Sequence, residues 1–71
     1  MNNSVISIEP LLTPKEVAAI LKVTEAALAA QRLQGRGPQA RRMGNGRVRY
    51  EAAAIRSYIE SQEILGGQGA A

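Results

Sequence analysis

Two helix starts lie close together near the beginning of the 71-residue chain, and they restrict its fold more than any other feature. Thr13 precedes Pro14 and is followed three residues later by Glu16, a combination typical of a capped helix N-terminus. Thr24, followed by an acidic residue, repeats the signal after one short amphipathic helix that ends near Leu21. The sequence therefore predicts two short helices separated by about three residues.

The segment after the second start combines an Ala-rich helix with a predicted hairpin. Gly35 is expected to end this helix, because glycine readily adopts the left-handed conformation of a C-terminal cap. Short strands are predicted over residues 40–43 and 47–50, on either side of Gly44–Gly46. An Asn-Gly pair between two β-capable runs is typical of a β-hairpin.

A third helix is predicted over residues 52–65, with Ile55, Tyr58 and Ile59 on its core-facing side. Tyr50 is assigned to the core as well. The predicted core positions of the first helix are Val17, Ile20 and Leu21. The expected fold is mainly α with a small β-hairpin. It is organised as an arm (residues 1–10, either a short strand or disordered), one domain (11–65) and a disordered tail (66–71).

The composition excludes several classes of function. The chain has no Cys and no His, which removes thiolate zinc sites and histidine-dependent catalysis, and its Glu residues are scattered. We therefore expect no catalytic residues, no metal and no cofactor, and hence no enzyme. No apolar run approaches the roughly 20 residues that span a bilayer, and no signal peptide is recognisable, so a cytoplasmic protein without membrane contact is expected.

Positive charge is concentrated in one third of the sequence. Between Glu25 and Glu51 there is no acidic residue, whereas six arginines lie in that interval: Arg32, Arg36, Arg41, Arg42, Arg47 and Arg49. A one-sided basic block on a compact domain is typical of a protein that binds a polyanion. A solubilising surface is the alternative, although solubility does not require the signs to be segregated.

Taken in order, several segments resemble a known family. They are LLTPKEVAAILKVT (11–24), GRGP (35–38), Gly44, RVRY (47–50) and IRSYI (55–59). Together these resemble the small excisionase and AlpA-like group of the MerR-type winged helix-turn-helix superfamily. The resemblance implies three helices plus a wing, formed by the hairpin, and binding of double-stranded DNA with the second helix in the major groove.

The resemblance also implies a biological role. Proteins of this kind act as excisionases, or recombination directionality factors, of phages and other mobile elements. They bind tandem sites cooperatively, associate with one another on DNA, and assist a site-specific integrase. A small transcriptional regulator on the nucleoid is the alternative within the same class.

The residues expected to contact DNA fall into three groups. On the second helix they are Thr24, Glu25, Ala26, Gln31 and Arg32, of which Gln31 and Arg32 could read bases directly. In the loop and wing they are Arg36, Arg41, Arg42, Asn45, Arg47 and Arg49. Lys15 and Lys22 are expected backbone contacts.

Two of these assignments have structural alternatives. Glu25 also suits the positive end of a helix dipole, and Gln31 could simply fill a partly buried position.

An Ala-rich second helix could also pack closely against another protein. The alternative to DNA binding is therefore a protein-interaction module, built on a helix-turn-helix scaffold that no longer reads bases.

Overall fold

The computed structural model describes residues 9–67. Its elements, in chain order, are α1 (Pro14–Leu21), α2 (Glu25–Leu33), β1 (Arg41–Arg42), β2 (Val48–Arg49) and α3 (Ala52–Glu60). The predicted mainly helical fold with a two-stranded antiparallel hairpin is confirmed, and it is compatible with a winged helix-turn-helix. The strand predicted from Val5, Ile6 and Ile8 lies outside the described residues, as do residues 68–71. Within residues 9–67, no helix is long and apolar enough to cross a membrane.

Both predicted helix starts are capped by their threonines. The Thr13 hydroxyl accepts a hydrogen bond from the Glu16 amide at 3.1 Å, and the Glu16 carboxylate accepts one from the Thr13 amide at 2.8 Å. Thr24 accepts from the amide of Ala27 at 3.0 Å. Because these contacts satisfy amides that have no partner within the helix, they fix where α1 and α2 begin.

The turn between α1 and α2 depends on a single left-handed residue. Lys22 has a φ of 61°, and its amide bonds back to the carbonyl of Ala19 at 3.3 Å. The amide of Val23 bonds to the carbonyl of Ala18 at 2.9 Å. This pattern ends a helix within one residue, and it allows α2 to start almost immediately.

Gly35 ends α2 as predicted. Its φ is 73°, its amide bonds to the Arg32 carbonyl at 3.0 Å, and the amide of Arg36 bonds to the Gln31 carbonyl at 2.7 Å. These are the two hydrogen bonds of a Schellman motif. They turn the chain away from the helix axis and direct it toward the hairpin.

Each hairpin strand is two residues long, shorter than predicted, because the turn takes up one end of the hairpin and the bridge to Leu12 the other. Gly46 has a φ of 86°, and its amide closes a turn on the carbonyl of Met43 at 2.8 Å. Tyr50, at the far end, forms an isolated bridge with Leu12 through amide–carbonyl distances of 2.8 and 2.9 Å. The segment before α1 is thereby joined to the base of the hairpin.

A small core lies where the helices meet the base of the hairpin. Its buried members are Val17, Ala18, Leu28, Tyr50 and Ile55, and the partly buried residues packed against them are Leu12, Leu21, Ala40 and Val48. Tyr50 is fully buried, as predicted. It is one of the three largest fully buried side chains and occupies much of this core.

Two core assignments were wrong, and α3 is shorter than predicted. Ile20 and Ile59 are 49% and 48% exposed, since a core this small leaves their sides of α1 and α3 without a covering element. Tyr58 is only half-buried. Helix α3 ends at Glu60 rather than at residue 65. Directly after this end, the Ser61 hydroxyl donates a hydrogen bond to the Tyr58 carbonyl at 2.7 Å. A serine hydroxyl that bonds locally to the backbone competes with continuation of a helix.

Candidate nucleic-acid interface

Four of the six arginines between Glu25 and Glu51 line one open cleft. It has a volume of about 380 Å³ and lies between the end of α2, the loop 35–40 and the hairpin. We call it the basic cleft; its arginines are Arg32, Arg36, Arg41 and Arg42. Residues from three separate parts of the chain therefore form a single cationic surface. Like charges that are brought together on one side of a domain attract a polyanion more strongly than the net charge of +3 suggests.

The other two arginines of this interval also belong to the wing (residues 41–49, the hairpin with its turn): Arg47 directly precedes β2, and Arg49 is its last residue. The register pairs Arg41 with Arg49 and Arg42 with Val48. Side chains alternate along a strand, so Arg47 and Arg49 share one face while Val48 lies on the other, packed against the core. Arg47 is exposed and Arg49 is partly buried. The wing thus presents adjacent guanidinium groups on its outer side.

Several of these guanidinium groups already have partners within the protein. Arg41 forms an ion pair with Glu51. Arg42 donates to the Gly46 carbonyl at 3.1 Å, and Arg49 to the carbonyl of Val48 at 2.7 Å. Within residues 9–67, the Arg47 guanidinium forms no hydrogen bond or ion pair. The contacts of Arg41 and Arg42 are exposed and therefore weak, so an incoming phosphate can replace them.

The tip of the wing is held by Asn45. Its side-chain oxygen accepts from the Arg47 amide at 2.9 Å, a contact that asparagine commonly makes in turns. Asn45 is exposed, as are the glycines on either side of it. The turn therefore ends in small residues that let the hairpin approach a surface closely.

Arg32 is more firmly tied to the protein than the other predicted contacts. It is partly buried, and its guanidinium donates to the hydroxyl of Tyr50 at 3.1 Å. Arg32 also lines the basic cleft. Arg36, by contrast, is exposed and donates only to the neighbouring Gln34, at 3.3 Å.

The other second-helix residues differ in their accessibility. Glu25 and Ala26 are exposed in the first turn of α2, and Thr24 is exposed next to them. Gln31 is partly buried and lies against Gly37: a β-carbon built on that glycine would be 3.0 Å from the Gln31 side-chain oxygen. The structure thus places Gln31 against the loop that follows α2.

Lys15 and Lys22 do not belong to the basic cleft. Lys15 is exposed in the first turn of α1, and Lys22 is exposed in the turn between α1 and α2. Neither makes a side-chain hydrogen bond or ion pair with the described part of the chain. Among residues 9–67, no group of three or more His, Cys, Asp or Glu side chains could hold a metal.

Two features of this surface were missed from the sequence. Glu51 lies just beyond the acid-free interval, yet the strand register brings it back to Arg41; its position directly after the second strand was the available signal. Leu33, the last residue of α2, is 84% exposed. Its spacing of three residues from Ala30 and seven from Ala26 places all three on one side of a helix, which periodicity alone could have shown.

A family model described as a helix-turn-helix domain matches residues 11–63. Comparisons with curated proteins and with solved structures gave no match. The matched segment includes every helix and strand of the structure. It also contains the basic cleft, the wing and the exposed side of α2.

Proposed function

The chain belongs to the helix-turn-helix domain family, whose members are DNA-binding domains and include excisionase- and AlpA-like proteins, and we propose that it binds double-stranded DNA through α2 and the wing. Such domains are typically not enzymes. The observation that carries the proposal is the basic cleft, which Arg32 of α2 and Arg36 of the following loop line together with Arg41 and Arg42 of the wing. Two elements that could contact DNA are thus joined by one cationic surface.

In the proposed complex, α2 enters the major groove and the wing follows the adjacent backbone. Arg36, Arg41, Arg42, Arg47 and Arg49 contact phosphates or a narrow minor groove, and Asn45 lies at the approaching tip. Thr24, Glu25, Ala26, Gln31 and Arg32 are the second-helix candidates for the groove, with Lys15 and Lys22 as outlying backbone contacts. Fixed cations beside a groove-sized helix supply affinity without demanding a particular sequence.

We further propose that the protein is an excisionase, or recombination directionality factor, of the MerR-type winged helix-turn-helix class. The exposed residues of α2 include several alanines, which form no hydrogen bonds to bases through their side chains. A single copy would then discriminate weakly between sequences. Specificity would come from self-association on tandem sites and from DNA deformability, together with a site-specific integrase as partner in the cytoplasm.

The first experiment measures DNA binding as a function of salt. A fluorescence-anisotropy titration with duplexes selected from random DNA, and with scrambled controls, is made between about 50 and 200 mM salt. If four to six cations meet phosphates, log K falls against log salt with a slope of about −4 to −5. Absence of binding at low salt to either DNA would refute the proposal and favour the protein-interaction alternative, with the exposed side of α2 as the contact.

A second experiment separates the excisionase role from that of a simple regulator. Selected sites are placed in tandem, either one helical turn of about 10.5 base pairs apart or half a turn out of phase. An excisionase-like architectural protein gives cooperative isotherms and bent DNA, measured by energy transfer between the duplex ends, only for the in-phase array. Independent binding to straight DNA in both arrays would favour the transcriptional regulator.

A further inference from the structure

The outer side of α2 carries an apolar stripe, formed by Ala26, Ala30 and Leu33. These residues are separated by four and three positions, so they lie above one another on one side of the helix. All three are exposed, and Leu33 is 84% exposed. None of their side chains can donate or accept a hydrogen bond.

Charge decides what covers this stripe. Arg32 near the end of α2 and Arg36 in the loop that follows it both line the basic cleft, and no acidic residue lies between Glu25 and Glu51. An apolar side on a helix whose C-terminal end adjoins this cleft complements DNA, whose major groove is apolar only at the C5-methyl groups of thymine. A protein partner would have to bury these cations or supply acidic groups of its own.

On the basis of the DNA-binding function proposed above, we propose that α2 selects its site by apolar contact with thymine methyl groups. Leu33 contributes most of the modest discrimination that a single copy achieves. At a rise of 1.5 Å per residue, Ala26 and Leu33 are about 10 Å apart along the helix. This distance corresponds to about three base-pair steps of 3.4 Å. The preferred site therefore contains a short run with two or three thymines.

The test replaces single base pairs in a duplex selected from random DNA. Changing one contacted thymine to deoxyuridine removes only the methyl group, and it weakens binding about fourfold, the fold-change equivalent to about 0.8 kcal/mol for one buried methyl group. Exchanging the same T·A pair for C·G weakens binding by at least as much. Exchanging it for 5-methylcytosine·G restores the affinity, because the methyl group returns to the groove.

The pattern of responses separates methyl contact from hydrogen-bond readout. If Gln31 reads adenine instead, deoxyuridine has no effect and 5-methylcytosine·G is bound as weakly as C·G. That result would overturn the inference and leave the proposed DNA binding intact. Absence of binding to all duplexes, in contrast, would refute the DNA-binding function itself.

A matched pair of variants assigns the effect to the stripe. Leu33→Ala weakens binding to the thymine duplex about tenfold, equivalent to the roughly 1.5 kcal/mol of a modestly buried leucine, and it abolishes the discrimination between thymine and deoxyuridine at one position. Leu65→Ala is the control, since Leu65 is 83% exposed and lies beyond α3. Equal effects of the two variants, or unchanged discrimination in Leu33→Ala, would contradict the assignment.

Discussion

The Arg32 guanidinium donates to the Tyr50 hydroxyl at 3.1 Å, across 18 positions of sequence. Tyr50 is fully buried, so that contact supplies the partner that its hydroxyl would otherwise find in water. Arg32 belongs to α2 and Tyr50 lies at the base of the hairpin, where it also bridges Leu12. This hydrogen bond thus links the second helix to the base of the hairpin.

This contact predicts an asymmetry between two variants. Tyr50→Phe removes the buried hydroxyl together with the need for a partner, and it lowers the free energy of unfolding by only about 0.5–1.5 kcal/mol. Arg32→Ala leaves the hydroxyl buried without its donor and costs about 1–3 kcal/mol. The two free energies of unfolding are measured by urea unfolding, and an unchanged slope m shows that only the stability has changed.

The double variant Arg32→Ala/Tyr50→Phe is the control. In the Tyr50→Phe background no hydroxyl is left without a donor, so Arg32→Ala should lower the free energy of unfolding by less than it does when Tyr50 is present. The difference between the two losses is the coupling energy of the pair. Strictly additive effects would mean that the contact contributes nothing to stability.

The left-handed residue between α1 and α2 yields a stabilising substitution. A non-glycine residue at a φ of 61° carries a steric cost that glycine avoids, so Lys22→Gly should raise the free energy of unfolding by about 0.5–1 kcal/mol. Lys22→Ala removes the same charge but keeps the β-carbon, and it should give no such gain. The stabilities of the two variants are compared by thermal unfolding. An equal gain in stability in Lys22→Ala would mean that removal of the charge, rather than relief of the backbone conformation, causes the effect.

Local signals in the sequence predicted the elements well because each depends on a few neighbouring residues. Thr13, Thr24 and Gly35 act within one turn of a helix, and all three behave as predicted. The prediction that Ile20 and Ile59 are buried was wrong, because periodicity shows only that residues share one side of a helix. It does not show whether another element covers that side, and in this small core none covers Ile20 or Ile59.

The candidate site could be predicted in composition but not in its contacts. The acid-free interval predicted a basic surface, whereas the pairing of Arg41 with Glu51 depends on the strand register. The Arg32–Tyr50 hydrogen bond depends on tertiary packing, which no local pattern encodes. Sequence therefore identified the cations, and the fold determines which of them already have partners.

The ion pair between Arg41 and Glu51 predicts a gain in DNA affinity. Glu51→Gln releases one guanidinium and removes one negative charge from the edge of the basic cleft, so binding should tighten and the salt slope should steepen by about one. Glu63→Gln is the matched control, because Glu63 is exposed beyond α3 and forms no ion pair within residues 9–67. Anisotropy titrations at several salt concentrations measure both variants. An equal gain in both would assign the effect to net charge.

The unpaired arginine of the wing provides the most direct test of the proposed interface. Within residues 9–67, the exposed Arg47 side chain forms no hydrogen bond or ion pair that its removal would break, so Arg47→Ala should leave the unfolding midpoint nearly unchanged. If Arg47 meets a phosphate, the variant binds all sequences more weakly by a similar factor, and the salt slope becomes shallower by about one. Arg56→Ala removes the same charge from the exposed side of α3, outside the basic cleft and the wing, and should change neither quantity. Indistinguishable slopes for the two variants would exclude Arg47 from the proposed interface.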